Sequence, residues 1–207
     1  MQQLLLCAAW SMTLAVAGEW RPLFNGKDLS GWKQVGPGRF VVEDGALKTV
    51  GGMGLLYYPG EQFGDTTLRI VFKSTKPGDN SGVIIRLPEH PPDPWYAVHN
   101  GYEVQIDGQQ DDWHYTGSIY SISKAAARRQ KPPGEWNTMD IELKGLTTIV
   151  YVNGQKVNEY AEGQPVPERK HWYEPVRGPR PAKGFIGLQN HGDHDTIYFR
   201  EISVRNK

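Results

Sequence analysis

The sequence predicts an all-β protein built as a sandwich of antiparallel sheets. Three observations carry that prediction. The stretch 101–108 alternates without a slip: Tyr102, Val104 and Ile106 point one way, and Glu103, Gln105 and Asp107 the other. A side-chain period of two marks a strand with one face in a core. About a dozen such short segments follow one another, separated by Gly, Pro, Asn and Asp. Finally, 24 Gly and 15 Pro accompany 7 Trp and 10 Tyr among 207 residues, which suits many turns between aromatic-rich strands.

The elements can be justified in order. Residues 4–17 form an apolar run ending in Ala15-Val16-Ala17, a small-x-small cleavage pattern. Residues 1–17 are therefore expected to be an export signal, with a periplasmic or secreted product. The run is too short to be read as a membrane span. The one Cys, Cys7, lies within it, so disulfides and thiol chemistry are not expected downstream. Residues 20–32 read as an edge segment rich in aromatics and turn formers. Asp44-Gly45 and Asn153-Gly154 each join two alternating runs as tight hairpins. Residues 55–58, 67–73, 82–87, 117–122, 136–144, 148–152, 156–160, 185–191 and 197–205 read as further strands. Four prolines between Pro88 and Pro94 predict a stiff external loop. Residues 124–131 are the one candidate helical turn. Residues 161–183 form a long loop rich in Pro and Arg, a length usually tied to function. No repeat or linker divides the chain, so 18–207 is expected to be one domain.

Formal charge is zero and the pI about 7.0, with no basic stripe. Nucleic acid is not an expected partner, nor is a membrane once the signal is removed. Oligomeric state is not legible.

Several motifs together resemble one family. They are Leu23-Phe24-Asn25-Gly26-Lys27-Asp28-Leu29-Ser30-Gly31-Trp32, Asn80-Ser81-Gly82-Val83-Ile84-Ile85-Arg86, Tyr102-Glu103-Val104-Gln105-Ile106-Asp107, Gly134-Glu135-Trp136-Asn137, Tyr151-Val152-Asn153-Gly154, and Gly184-Phe185-Ile186-Gly187-Leu188-Gln189-Asn190-His191-Gly192. In order and spacing they are similar to the 3-keto-disaccharide hydrolase family, formerly a domain of unknown function. The resemblance implies a concanavalin A-like jelly roll with a sugar-facing sheet. It also implies a small-molecule glycoside oxidised at C3 as substrate, cleaved by a hydrolase or by a lyase coupled to hydration.

Such a reaction needs a base near C2, a donor for the enolate oxygen and help for the leaving group. Glu103 or His191 is the candidate base, and Arg86 the candidate enolate donor, since alternation places it with Gly82 and Ile84. Gln105, Asp107 and Gln189 are candidate hydroxyl contacts. Trp95, Tyr96, Trp113 and His114, with Trp172 and Tyr173, are candidate rim contacts, because rings stack on the apolar faces of sugars. No cofactor is expected. The clusters His191/Asp193/His194/Asp195 and Asp111/Asp112/His114 leave a divalent ion such as Ca²⁺ as a minor reading, without a recognised ligand spacing.

Two other function classes compete. A two-carboxylate glucanase would pair Glu103 with Asp107. Four residues of strand separate their Cα atoms by about 13 Å, whereas retaining chemistry needs carboxyls about 5 Å apart. A non-catalytic carbohydrate-binding module would use the same fold without the charged groups.

Overall fold

The computed structural model describes residues 18–206. The expected export signal, 1–17, lies outside the described residues. Strands β1 (Arg21–Pro22), β2 (Lys33–Val35), β3 (Arg39–Glu43), β4 (Ala46–Val50), β5 (Gly54–Phe63) and β6 (Thr66–Ser74) come first. Then follow β7 (Ser81–Leu87), helix α1 (Pro94–Asn100) and β8 (Tyr102–Ile106). The chain ends with β9 (Asn137–Lys144), β10 (Thr147–Val152), β11 (Gln155–Ala161), β12 (Gly184–Asn190) and β13 (Ile197–Asn206). One sheet of eight strands runs β11-β10-β9-β6-β13-β4-β3, with β1 also on β13; a second of five runs β2-β5-β12-β7-β8. All pairings are antiparallel. The expected all-β sandwich is the observed fold.

Alternation explains the core. Tyr102, Val104 and Ile106 of β8 and Val83 and Ile85 of β7 face Leu68, Ile70 and Phe72 of β6 and Met139, Ile141 and Leu143 of β9. Each fully buried side chain of this size contributes on the order of 2 kcal/mol relative to exposure. Both predicted hairpins form: Asp44 and Gly45 have φ of 52° and 76°, and Asn153 and Gly154 of 51° and 79°. Positive φ at both central positions matches the twist of the flanking strands.

Local competition overrode the sequence reading in three places. The proline-rich stretch ends in α1 rather than remaining a loop throughout. Asp93 caps the helix by accepting from the Tyr96 N–H at 2.8 Å, and Pro94 occupies its first turn, where a missing N–H costs nothing. Residues 124–131 are not helical: the Ala125 and Ala126 N–H groups donate to the Asp112 and Val157 carbonyls at 2.8 and 2.7 Å. Residues 117–122 are turns rather than a strand, with Gly117 at φ 90° and Ser121 at φ 55°; Ile119 keeps only isolated bridges to Val104 and Ser123.

A fourth difference concerns Arg86. Phe185 pairs with Leu87 and Gly187 with Ile84, so Ile85 and Arg86 of β7 stand opposite Ile186 alone. This is a β-bulge, and Arg86 sits in it at φ 54°. The extra residue breaks the alternation that had placed Arg86 beside Gly82. Its side chain is 1% exposed, and all five N–H donors are used. Nε donates to Thr148 Oγ1 at 3.2 Å; Nη1 donates to the Pro181 and Ala182 carbonyls at 3.0 and 2.8 Å; Nη2 donates to the Gly145 and Thr147 carbonyls, each at 3.0 Å. Gly184 permits the close pairing here, since a Cβ on it would lie 2.5 Å from the Arg86 carbonyl carbon.

Replacing Arg86 by Ala would remove all five bonds at once and leave the buried pocket of its side chain empty. We expect a loss of about 3 kcal/mol, seen calorimetrically as a Tm lower by about 6–12 °C. Arg86→Lys should recover little of it, because three clustered donors cannot reproduce a planar fork. A Tm for Arg86→Ala within about 2 °C of wild type would contradict the clamp.

Candidate active site

The outer face of the five-stranded sheet carries the polar row that alternation requires. Glu103 and Gln105 come from β8, Gln189 from β12, and His191 from just beyond the end of β12. Gly82 of β7 pairs with Gln105 on one side and Gln189 on the other. Its lack of a side chain shapes the site: a Cβ there would lie 2.3 Å from Glu103 Oε1. The Glu103 carboxyl thus folds over the glycine, where Gln189 Nε2 donates to its Oε2 at 2.9 Å.

Walls rise around this floor. Helix α1 contributes Trp95 and Val98, the long loop contributes Trp172 and Tyr173, and Met53, Asn80 and Tyr120 complete a cavity of about 320 Å³. Trp95 and Trp172 lie 4.7 Å apart between ring centroids, and Trp172 is 63% exposed. The loop is held by its arginines. Arg180 Nε donates to the Gly101 carbonyl at 3.1 Å, and its Nη2 to the His99 and Val176 carbonyls at 2.8 and 2.7 Å. Arg177 bonds the Pro167 and Pro175 carbonyls and the Glu174 carboxylate.

Glu103 is the one carboxylate among the described residues that line this cavity. It is 5% exposed, and burial pushes its pKa up to about 7, against the smaller opposing effects of His191 and the Gln189 bond. His191 Nδ1 meets Asp195 Oδ2 at 2.8 Å, and this bond raises the histidine's pKa. Asp195 is itself fixed by the Asn80 N–H at 3.1 Å. Burial alone would raise its pKa, but His191, the Asn80 N–H and Lys76 together bring it down. With Nδ1 occupied, Nε2 is the ring nitrogen left for other partners. Tyr120 is held as a neutral phenol by burial and by the nearby Glu103 charge. Gln105 Nε2 donates to Asn80 Oδ1 at 2.8 Å. The Oε1 atoms of Gln105 and Gln189 are buried with no hydrogen-bond partner among the described residues. Two buried acceptors are thus left unpaired beneath the cavity floor.

The structure brings together Glu103, Gln105, Gln189, His191 and Trp95, along with Trp172 and Tyr173. It does not bring Arg86, which is consumed in the clamp. Asp107 follows the last residue of β8 and caps the next turn, its Oδ1 accepting from the Gln109 N–H at 2.8 Å. Tyr96 points to Glu89, 3.4 Å from its hydroxyl. Trp113 and His114 line a neighbouring cavity rather than this one. Sequence reasoning missed Tyr120, Asn80, Met53 and Val98. Tyr120 was concealed by reading 117–122 as a strand, although Gly117-Ser118 was an available turn signal. In the two clusters noted for a divalent ion, His191 bonds Asp195, and His114 Nδ1 meets Asp111 at 2.9 Å. Among the described residues no three His, Cys, Asp or Glu side chains group as a metal site.

The raised Glu103 pKa has a consequence for stability. The folded state holds this proton more tightly than the unfolded chain does, so the associated stability is present at low pH and is lost as pH rises from about 4.5 through about 7. Glu103→Gln removes the charge and keeps most of the shape. We expect it to unfold at a higher temperature than wild type at pH 8, by an amount equivalent to at most about 3 kcal/mol, and to converge with wild type near pH 4. Parallel Tm–pH curves for the two proteins would contradict this.

Comparison with known proteins places the chain in a family and a fold. The 3-keto-alpha-glucoside-1,2-lyase-like domain matches residues 19–205. A 3-keto-disaccharide hydrolase of Bacteroides thetaiotaomicron is 25% identical over 230 residues, covering 88% of this chain and 77% of its own length. A crystal structure from Parabacteroides distasonis, assigned as a glycosyl hydrolase, superposes with a TM-score of 0.74 at 29% identity, covering 91% of this chain and all of the other. A Bacillus subtilis protein with a galectin-like fold superposes with a TM-score of 0.64 at 13% identity, over 91% and 94% of the two chains; that likeness shows the fold alone. The chain belongs to the family of the 3-keto-alpha-glucoside-1,2-lyase-like domain, a carbohydrate-active domain akin to glycosyl hydrolases.

Proposed function

We propose that this protein is an exported enzyme that cleaves the glycosidic bond of 3-keto-glycosides by elimination across C1 and C2, followed by hydration. The observation that carries the reading is Glu103: a buried carboxyl with a pKa of about 7, unaccompanied by a second carboxylate in the cavity lining. Paired-carboxylate hydrolysis would need two. A single base suits a substrate whose C2 proton is acidified by a neighbouring ketone.

In this scheme Glu103 takes the C2 proton, and the C–H electron pair moves into the ring to form the enolate at the C3 oxygen. His191 Nε2–H donates to that oxygen; the bond to Asp195 favours the protonated imidazole that can do so. The enolate electrons then form the C1–C2 double bond as the C1–O bond breaks. The Tyr120 hydroxyl gives its proton to the departing oxygen and regains one from water. The hydroxide left by that water adds at C1 of the enone, Glu103 returns its proton to C2, and the 3-keto sugar is released. Gln189 orients the Glu103 carboxyl, and Trp95 and Trp172 supply ring faces to the sugar. The name of the Bacteroides relative supports the substrate class.

A chromogenic aryl 3-keto-glucoside should release its phenol, and the unoxidised glucoside should not. Glu103→Gln should lower kcat by about 10²–10⁴-fold, and kcat/KM should rise with pH through about 7 as the base loses its proton. Tyr120→Phe should cost more with a poor leaving group than with a nitrophenolate. Equal release from both sugars, or an active Glu103→Gln, would sink the proposal.

A further inference from the structure

A second cavity, of about 280 Å³, is lined by residues of the turns that follow β8 and of the long loop, His114 and Ser121 among them. His114 is held at both ring nitrogens. Its Nδ1 meets Asp111 Oδ1 at 2.9 Å, and its Nε2 meets Ser121 Oγ at 3.1 Å. A carboxylate can only accept, so Nδ1 carries the proton, and Nε2 of the neutral ring accepts from the Ser121 hydroxyl. Asp111 Oδ1 also accepts from the Trp113 N–H at 2.8 Å, which fixes the carboxylate. Ser121 stands at φ 55°, a region that non-glycine residues other than Asn and Asp seldom adopt. Its N–H donates to the Trp113 carbonyl at 3.3 Å, and its carbonyl accepts from Arg177 Nη2 at 3.2 Å. The backbone is thus pinned in a strained conformation of the kind found at functional sites.

We propose that Ser121, His114 and Asp111 form a second catalytic centre, a serine hydrolase site for carboxylic esters of short acyl groups. The order of contacts, nucleophile to base to carboxylate, is the one by which acyl-transferring triads are recognised on unrelated folds. Ser121 Oγ attacks the carbonyl carbon as His114 Nε2 takes its proton. The ester C–O bond then breaks and the alcohol leaves with that proton, giving acyl-Ser121. Water attacks the same carbon and gives a proton to His114 Nε2. The bond from carbon to Oγ breaks, the proton returns to Oγ, and the carboxylic acid leaves. Lys170 and Arg177 line the cavity and supply positive charge for the carbonyl oxygen as it becomes anionic. An ester suits the site better than an amide, because an alkoxide leaves more readily than an amine. The site uses neither Glu103 nor a ketone, so the inference stands apart from the proposed function.

The test treats the full chain with phenylmethylsulfonyl fluoride, maps the adduct by peptide mass spectrometry, and follows hydrolysis of 4-nitrophenyl acetate over many turnovers. Ser121 should carry the sulfonyl group in wild type and should escape it in His114→Ala. Ser121→Gly removes the hydroxyl and suits a φ of 55°, so its Tm should stay near that of wild type. It and His114→Ala should each lower kcat/KM for the ester by about 10²-fold or more. Labelling of wild type reads the same claim without any variant. No adduct, an adduct only at another residue, or a smaller loss of ester hydrolysis in a folded Ser121→Gly overturns the proposal.

Discussion

One buried guanidinium sets the shape on which the rest of the molecule depends. Arg86 ties β7, the turn between β9 and β10, and the last residues before β12 into a single knot. A cation this deep would be untenable on charge alone. Burial lowers its pKa, and Glu162, Tyr102 and Asp65 act only at a distance to restore it. Complete satisfaction of its donors is what makes the site tolerable. The knot joins the two sheets at one corner and fixes where the long loop must end. Arg180 performs the same office along that loop, fastening it to the carbonyls around α1. Between these anchors the loop has little freedom, and Trp172 and Tyr173 are delivered to the cavity rim on a rigid support.

The second constraint is the space above Gly82. Any side chain at that position would occupy the place of the Glu103 carboxyl. The carboxyl in turn lies too deep for full solvation, and only one nearby amide donates to it. The resulting pKa near neutrality reflects a group set where folding stability would not put it. The same strand presents Tyr102, Val104 and Ile106 to the sandwich core. The pleat that secures the fold therefore also dictates which atoms face the cavity, and no loop motion is needed to orient them.

Much of this was legible in the sequence because period two is a strong constraint. Alternation in 101–108 placed Glu103 and Gln105 together, and alternation in 185–191 placed Gln189 and His191 with them. The failures share one cause: local hydrogen bonding that a periodic pattern does not encode. The bulge at Arg86 reverses a face by adding one residue. The Asp93 cap starts a helix where four prolines suggested only loop. The Asp107 carboxyl is drawn into the next turn by a backbone N–H. Tyr120 sits in a non-repetitive turn whose backbone amide donates to the Glu103 carbonyl at 2.9 Å, so its place beside the base depends on a tertiary contact.

The composition of the site also limits what it can do to an ordinary sugar. A carboxyl with a pKa near 7 is a base of modest strength, and the neutral phenol and the Asp195-bound imidazolium beside it are weak acids. None of them can remove an unactivated ring proton at a useful rate, because proton transfer is efficient only when donor and acceptor acidities are matched. On the proposed mechanism the discrimination against unoxidised glycosides therefore does not require that they be kept out. They can occupy the same cavity, meet the same amides and rings, and remain unreacted, because the ketone that acidifies C2 is missing. Selectivity then lies in the chemical step rather than in binding. That explains how a cavity lined largely by rings and neutral amides could be exacting about the oxidation state of its substrate while making no contact with the ketone stronger than a hydrogen bond.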